Sequence, residues 1–312
     1  MNAGLCWVLN LDAEIELDRL QNLIREKRTP SASSYTTPKP IREQIARYAA
    51  PFIAALPPDT VVLSDDPASQ ALAQGRRGVC WCPTPSALEQ LTRAGASPLP
   101  SPPQVVLLAV NHRAFCAALG QPLPDARFAE NAEQIFATLR TQSPSGAWLC
   151  KRPLSFAGRG QLRVSGGDEP LRAADRRWLN ESLPHGGLQI EPLVQIIAEY
   201  SVHGLIRRDG SNTLGQPCEQ TVDQYRAWKS AALASPASLP PSDHAALLNE
   251  ATRVANALAQ AGYFGPFCVD SYTWRDTSGA LHLNPRGEIN ARMTMAYPIG
   301  MGKNWLQELL NL

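Results

Sequence analysis

The chain has 312 residues, enough for a sizeable core and two or three subdomains, with 44% hydrophobic residues and a formal net charge of +1. The balanced charge leaves no basic field for nucleic acid, and no apolar stretch is long enough to cross a membrane. Early acids and the lack of a basic segment before an apolar core argue against a secretory signal, and seven scattered cysteines without a framework spacing fit a reducing, cytoplasmic setting.

The first apolar run, Leu5 to Leu9, reads as a strand, and the Ser/Thr/Pro-rich segment from Thr29 to Pro40 as a loop. Ile41 to Leu56 has helical spacing, with Ile41, Ile45, Tyr48, Ala49 and Phe52 on one face. Val61 to Asp65 and Val79 to Cys82 read as strands of the buried type. Between Ser86 and Leu91 a helix is expected, with Ser86 as its cap and Glu89 completing a capping box. Cys80 and Cys82 have no second Cys/His pair nearby, so buried free thiols are expected rather than zinc. Strand and helix alternate through this part, which predicts a small α/β domain with a parallel sheet; no G-x-G-x-x-G or Walker A pattern occurs in it.

After the Pro-rich break at Pro98 to Pro103, Val105 to Val110 reads as a strand that runs into Asn111-His112-Arg113. Helices are expected from Arg113 to Leu119 and from Asn131 to Leu139. Trp148 to Val164 reads as strand, loop and strand, with Lys151 near the end of the first strand and a small-residue loop from Ser155 to Gly160. Backbone N–H groups of such a loop can close over phosphate oxygens, and Lys151 offers them a point charge. A plain hairpin with a surface lysine would have the same pattern. Leu188 to Val194 is an apolar strand broken at Pro192, and Ala198 to Ile206 alternates, with Glu199 at its start. Thr213 to Pro240 has no clean periodicity and is expected as a loop on the substrate side, where Arg226 or Lys229 can meet an acidic group, although as plain surface charges, the favoured reading, they need no such role. Ser242 to Gln260 is an amphipathic helix stopped by Gly262.

The last signal is the stretch from Gly262 to Met295, a hairpin turning at Asp276-Thr277-Ser278-Gly279. Strand alternation puts Glu288, Asn290 and Arg292 on one face, and Asp270 on the facing arm can supply a further carboxylate. Carboxylate and amide oxygens beside a cation suit a magnesium–phosphate site, since magnesium takes oxygen ligands together with substrate phosphates. A solvated strand face would alternate in the same way.

The order Lys151 and its glycine loop, Glu191-Pro192-Leu193-Val194, Glu199-Tyr200-Ser201-Val202, Val269-Asp270, and Glu288-x-Asn290-x-Arg292 resembles the ATP-grasp superfamily over residues 105–312. The resemblance implies a two-lobed fold (105–190 and 191–312) behind an N-terminal α/β domain (1–104). It implies that Lys151 binds a phosphate of ATP, that Ser155, Gly158, Arg159 and Gly160 cover the phosphates, and that Glu191, Pro192, Leu193 and Val194 form the adenine hinge. Glu199 would bind the ribose hydroxyls. Asp270, Glu288 and Asn290 would hold magnesium (manganese being possible), and Arg292 would face the phosphates or the reacting carboxylate. Arg113 stands where many members have a second phosphate-binding lysine. The gap from Asp270 to Glu288 is longer than in the D-alanine ligase-like members. The shorter spacing falls on His282-x-Asn284-Pro285-Arg286, and His282 is a poor ligand for a hard cation. Leu281 to Arg286 is therefore read as an extension of the hairpin, with His282 structural and Arg286 a possible substrate or phosphate contact.

The activity implied is an ATP-dependent ligase joining a carboxylate to an amine or other nucleophile through an acylphosphate, with Lys151 and Arg292 as its catalytic cations. A kinase on the same fold and a nucleotide-binding protein without ligase chemistry are the alternatives. The partners expected are small molecules, with neither nucleic acid nor membrane, and a homodimer is the expectation at family level.

Overall fold

The computed structural model describes residues 4–28, 35–155, 158–167, 170–222 and 228–312. Every residue of β1 (Leu5–Val8) is buried, as a strand covered on both faces requires. It leads to α1 (Ala13–Arg25) and α2 (Lys39–Ile53). Then β2 (Val61–Val62), α3 (Pro67–Ala73), β3 (Arg77–Cys80), α4 (Pro85–Arg93) and β4 (Ser97–Pro98) alternate. The strands lie parallel in the order β2-β1-β3-β4. The chain leaves β1 toward β2 on one side and places β3 on the other, so the C-terminal ends of β1 and β3 flank a topological switch point. Ser86 does not cap α4. Thr84 holds that position, and the Ser86 amide and hydroxyl donate to Glu16 at 2.9 and 2.6 Å.

Val105 to Val110, expected as a strand, forms α5 (Gln104–Asn111), with Leu107 and Val110 buried. A short apolar run has no period that separates a buried strand from a buried helix, and here the entry at Pro103 and the packing decide. α6 (Arg113–Ala118) follows, its Ala114 N–H donating to His112 Nδ1 at 3.2 Å.

A second sheet has a core of its own. β5 (Arg127–Ala129), α7 (Ala132–Arg140), β6 (Ala147–Lys151), β7 (Gln161–Ser165), α8 (Ala173–Ser182) and β8 (Leu188–Pro192) build an antiparallel sheet in the order β5-β8-β6-β7. Ile135, Trp148, Leu179, Leu188 and Ile190 pack beneath it.

The third sheet begins with β9 (Gln195–Ile206). The segment expected as an aperiodic loop contributes β10 (Asn212–Leu214), β11 (Cys218–Val222) and β12 (Trp228–Leu233) to it. β12 is at most half-buried along its whole length, so no face had to alternate between apolar and polar. Lys229 is exposed there, and Arg226 lies outside the described residues. α9 (Pro241–Gln260) packs behind β13 (Gly265–Arg275) and β14 (Leu281–Asn290), and the sheet runs β12-β11-β9-β13-β14. α10 (Tyr297–Met301) and α11 (Trp305–Leu310) end the chain. Trp305 lies 6.1 Å from both Trp7 and Phe52, ring to ring. One core runs from these aromatics through Trp81 to Tyr200 and Phe267, joining the parallel sheet to the third sheet.

The terminal hairpin contains a register shift. Asp270 pairs with Glu288 and Cys268 with Asn290, but Tyr272 pairs with Asn284. Ser271 therefore faces the longer stretch Pro285-Arg286-Gly287, a bulge that absorbs the long spacing noted in the sequence. Pro285 has no N–H to lose there. Arg286, marked as a possible substrate or phosphate contact, is taken up by the fold in this structure. Its side chain turns into the core, donates to Glu250 at 2.7 Å and Gly120 O at 2.6 Å, and also reaches the carbonyls of Cys116 and Leu119. His282 is structural, bonded to Asp276 at 2.7 Å and stacked on Trp274.

Candidate active site

A cavity of about 530 Å³ opens between the second and third sheets. From the second sheet, β6 brings Lys151 to its wall, and β8 with the residues after it brings Glu191, Pro192, Leu193 and Val194. Ser155 and Gly158 line it as well, while Arg159 and Gly160 do not. Arg159 instead donates to Gln44 at 3.1 Å, and the Gly160 carbonyl accepts from Arg152 N–H at 2.9 Å, closing the β6–β7 loop. Phe156 and Ala157 of that loop lie outside the described residues.

The opposite wall is one face of the third sheet. The register puts Gln220 across from Glu199, Ser201 across from Asp270, and Asp270 across from Glu288. Asn290 completes the group, its amide N–H donating to Asp270 at 2.7 Å. Gln220 donates to the other Asp270 oxygen at 3.0 Å. Burial, reinforced by the charge of Glu288, pushes the Asp270 carboxyl up to about 6 against the pull of the Gln220 hydrogen bond. Two half-buried carboxylates on directly paired strand positions are the electrostatic setting a cation relieves. Among the described residues no cluster of His, Cys, Asp or Glu is large enough to enclose a metal by itself. The pair with one amide fits magnesium, which usually takes one or two carboxylates and completes its shell from phosphates and water.

Among the described residues, each cation lining the cleft has a carboxylate partner. The Lys151 ammonium contacts Glu191. Arg113, buried at the start of α6, donates to Glu288 at 2.8 Å and to Ser155 Oγ at 3.2 Å. Burial works against the Arg113 charge, but Glu288 and Glu191 more than restore it. Arg292 contacts Glu14 of α1 and donates to Asn290 Oδ1 at 3.0 Å. Burial opposes its charge too, and Glu14, helped by Cys82 and Glu288, more than restores it, so Arg292 stays protonated. β14 ends at Asn290, yet Arg292 still returns to the Asn290 side of the cavity.

The described residues the sequence marked thus meet around one cavity, Arg159, Gly160, Lys229 and Arg286 excepted. Gln220, Glu14, Trp81 and His203 were not marked. Gln220 sits in the segment without periodicity, and Glu14 and Trp81 come from the parallel-sheet unit, where no motif announces them.

No protein-family model matches the sequence, and no curated protein matches it either. Solved structures do. A biotin carboxylase from Campylobacter jejuni, in a complex with β,γ-ATP, superposes with a TM-score of 0.60 at 12% identity, over 99% of this chain and 70% of that one. The biotin carboxylase domain dimer of the Hydrogenobacter thermophilus 2-oxoglutarate carboxylase, bound to MgADP, ADP and bicarbonate, gives 0.56 at 12% identity, over 100% and 70%. The N5-carboxyaminoimidazole ribonucleotide synthetase of Thermus thermophilus gives 0.51 at 17% identity, over 98% and 78%. The fold of this chain is the ATP-grasp fold.

Proposed function

We propose that the protein is an ATP-dependent ligase that joins a carboxylate to an amine or a similar nucleophile through an acylphosphate. The observation that carries this reading is the single cavity into which Lys151, the segment Glu191–Val194 and the group Asp270, Glu288 and Asn290 all converge from separate sheets. Residues 1–104 are the N-terminal α/β domain, 105–190 the lobe with the lid loop, and 191–312 the lobe with the carboxylates. Glu191 to Val194 take the adenine, Glu199 the ribose, and Lys151, Arg113, Ser155 and Gly158 the phosphates. Asp270, Glu288 and Asn290 hold Mg²⁺, which, when bound, neutralises charge on the phosphates.

A carboxylate oxygen of the substrate attacks the γ-phosphorus, and ADP leaves with the bonding electron pair. The amine then attacks the acyl carbon, inorganic phosphate leaves, and the amine nitrogen gives up a proton. No nucleophilic serine or cysteine is needed, because the carboxylate already presents a nucleophilic oxygen. The protein supplies position and charge: Lys151 and Arg292 face the oxygens on which negative charge builds. Lys151 exchanges Glu191 for phosphate as nucleotide enters.

The test is thermal unfolding with and without Mg-ATP, in wild type and in Glu288→Gln, which keeps an acceptor for Arg113. A ligand specific to the folded state stabilises it by about 2.7 kcal/mol at a hundredfold excess over its dissociation constant. A magnesium-dependent rise in melting temperature that the variant loses supports the reading, and ADP release that needs both a carboxylate and an amine completes it. No rise at saturating Mg-ATP would sink it.

A further inference from the structure

The N-terminal unit reaches the metal group through one side chain. Glu14, in the first turn of α1, is buried and contacts the Arg292 guanidinium. Arg292 donates from Nη2 to Asn290 Oδ1 at 3.0 Å, and the Asn290 amide donates to Asp270 at 2.7 Å. A donor on one side and a carboxylate on the other leave the Asn290 amide a single orientation. Contact by contact, α1 is joined to the carboxylates proposed for magnesium, and the Arg292 cation stands one amide's width from Asp270.

The backbone around Arg292 is fixed independently of Glu14. The Ala291 N–H donates to Asn111 Oδ1 at 2.9 Å, and the Met293 N–H to the Trp81 carbonyl at 3.0 Å. These bonds leave open the direction of the long Arg292 side chain. Its Nη1 donates to the Met293 carbonyl at 3.0 Å and its Nε to Glu14. Of the partners of this guanidinium, only Glu14 carries a charge.

Arg113, ion-paired with Glu288 at 2.8 Å, shows where a cation settles here when no carboxylate from outside the cleft holds it. Arg292 is within range of the same carboxylates. Burial and Glu288 push the Asp270 carboxyl up, and Arg292 is near enough to pull against them. Burial works against the Arg292 charge, Glu14 restores it, and Glu288 adds to the restoration. Stability alone is a poor reason for Glu14. Its second oxygen is buried with no hydrogen-bond partner among the described residues, and burial pushes its carboxyl above the ordinary value, against the pull of Arg292. A buried pair satisfied so incompletely adds little over an apolar pair of the same volume.

We propose that Glu14 is a positioning residue of the metal site: it holds the Arg292 guanidinium against Asn290 and off the carboxylates of Asp270 and Glu288. Without it, Arg292 joins Arg113 in competing with magnesium for them. This rests on the reading of Asp270, Glu288 and Asn290 as the magnesium group.

ADP is the probe, since it lacks the γ-phosphate that Arg292 is proposed to meet. Its dissociation constant is measured calorimetrically on the full chain, once in EDTA and once in Mg²⁺. The ratio of the two separates the metal contribution from a general loosening of the cleft, which would weaken ADP equally in both. Wild type should bind ADP more tightly in Mg²⁺. Glu14→Gln should remove most of that ratio, a loss on the order of tenfold, the low end for groups that orient metal ligands. Glu14→Asp keeps the charge and should restore most of it. The double variant Glu14→Met with Arg292→Met removes the competitor with its partner, and its ratio should match wild type. Replacing both members of a buried pair is tolerated better than removing one, so the double variant decides if Glu14→Gln does not fold. A wild-type ratio in Glu14→Gln, or a double variant that loses the ratio, overturns the proposal and leaves the metal reading standing. No magnesium effect on ADP in wild type overturns both.

Discussion

Arg113 donates to Glu288 at 2.8 Å, so the cation proposed for the phosphates is held by a carboxylate proposed for the metal. The two come from α6 and β14, and only the fold brings them together. Magnesium and Arg113 compete for one carboxylate, and taking Glu288 for the metal frees the guanidinium for a phosphate oxygen. Glu288→Ala should therefore do two things. It should abolish the stabilisation by Mg-ATP, and it should destabilise the empty protein by about 1–3 kcal/mol, because Arg113 is buried and loses its partner. Glu288→Gln should share the first effect and show little of the second. Denaturant unfolding of both variants, with and without Mg-ATP, separates the two.

Asp270 sets a pH dependence. In the empty site its carboxyl is pushed up to about 6 by burial and by Glu288. The folded state therefore binds a proton more readily than the unfolded chain, and the empty protein should lose stability as pH rises from about 4 to about 6. Magnesium needs the ionised form, so its apparent affinity should fall about tenfold per pH unit below that value. Melting curves with and without magnesium at pH 5 and pH 7.5 check both signs. An equal magnesium shift at the two values would count against Asp270 as a ligand.

Lys151→Met should lower ATP turnover by about a hundredfold or more, the scale of losing a charge aimed at the transition state. The chain should still fold, since its β6 neighbours Trp148 and Cys150, not Lys151, fill the core of the second sheet. Steady-state kinetics beside circular dichroism decides. Turnover within a few-fold of wild type would remove Lys151 from the catalytic set.

Arg286 lies beside the site in sequence and serves the fold instead. Arg286→Met leaves Glu250 without one of its two arginine partners and several carbonyls without a donor. A loss of about 3–5 kcal/mol is expected, as for other broken buried pairs. The fraction that remains folded should have an unchanged KM for ATP. A raised KM with unchanged stability would make Arg286 a ligand contact after all.

The sequence by itself determined a good deal. The alternation of strand and helix before Pro98 foretold the parallel sheet, and the order of Lys151, Glu191, Glu199, Asp270, Glu288 and Asn290 foretold a fold. Both are local patterns: periodicity and spacing survive in a linear string. Three things were decided only by the tertiary structure. The run Val105–Val110 became helix, because a short apolar segment takes whichever form its neighbours can bury. Arg286 left the site, because a bulge at Pro285 to Gly287 turned its side chain toward Glu250. Gln220 and Trp81 joined the cavity from segments with no motif, His203 from just past the Glu199–Val202 motif, and Glu14 came to Arg292, since register and core packing, not sequence spacing, put them there. The pairing of each cleft cation with a carboxylate belongs to the same class: it depends on distances across three sheets, and no linear pattern encodes it.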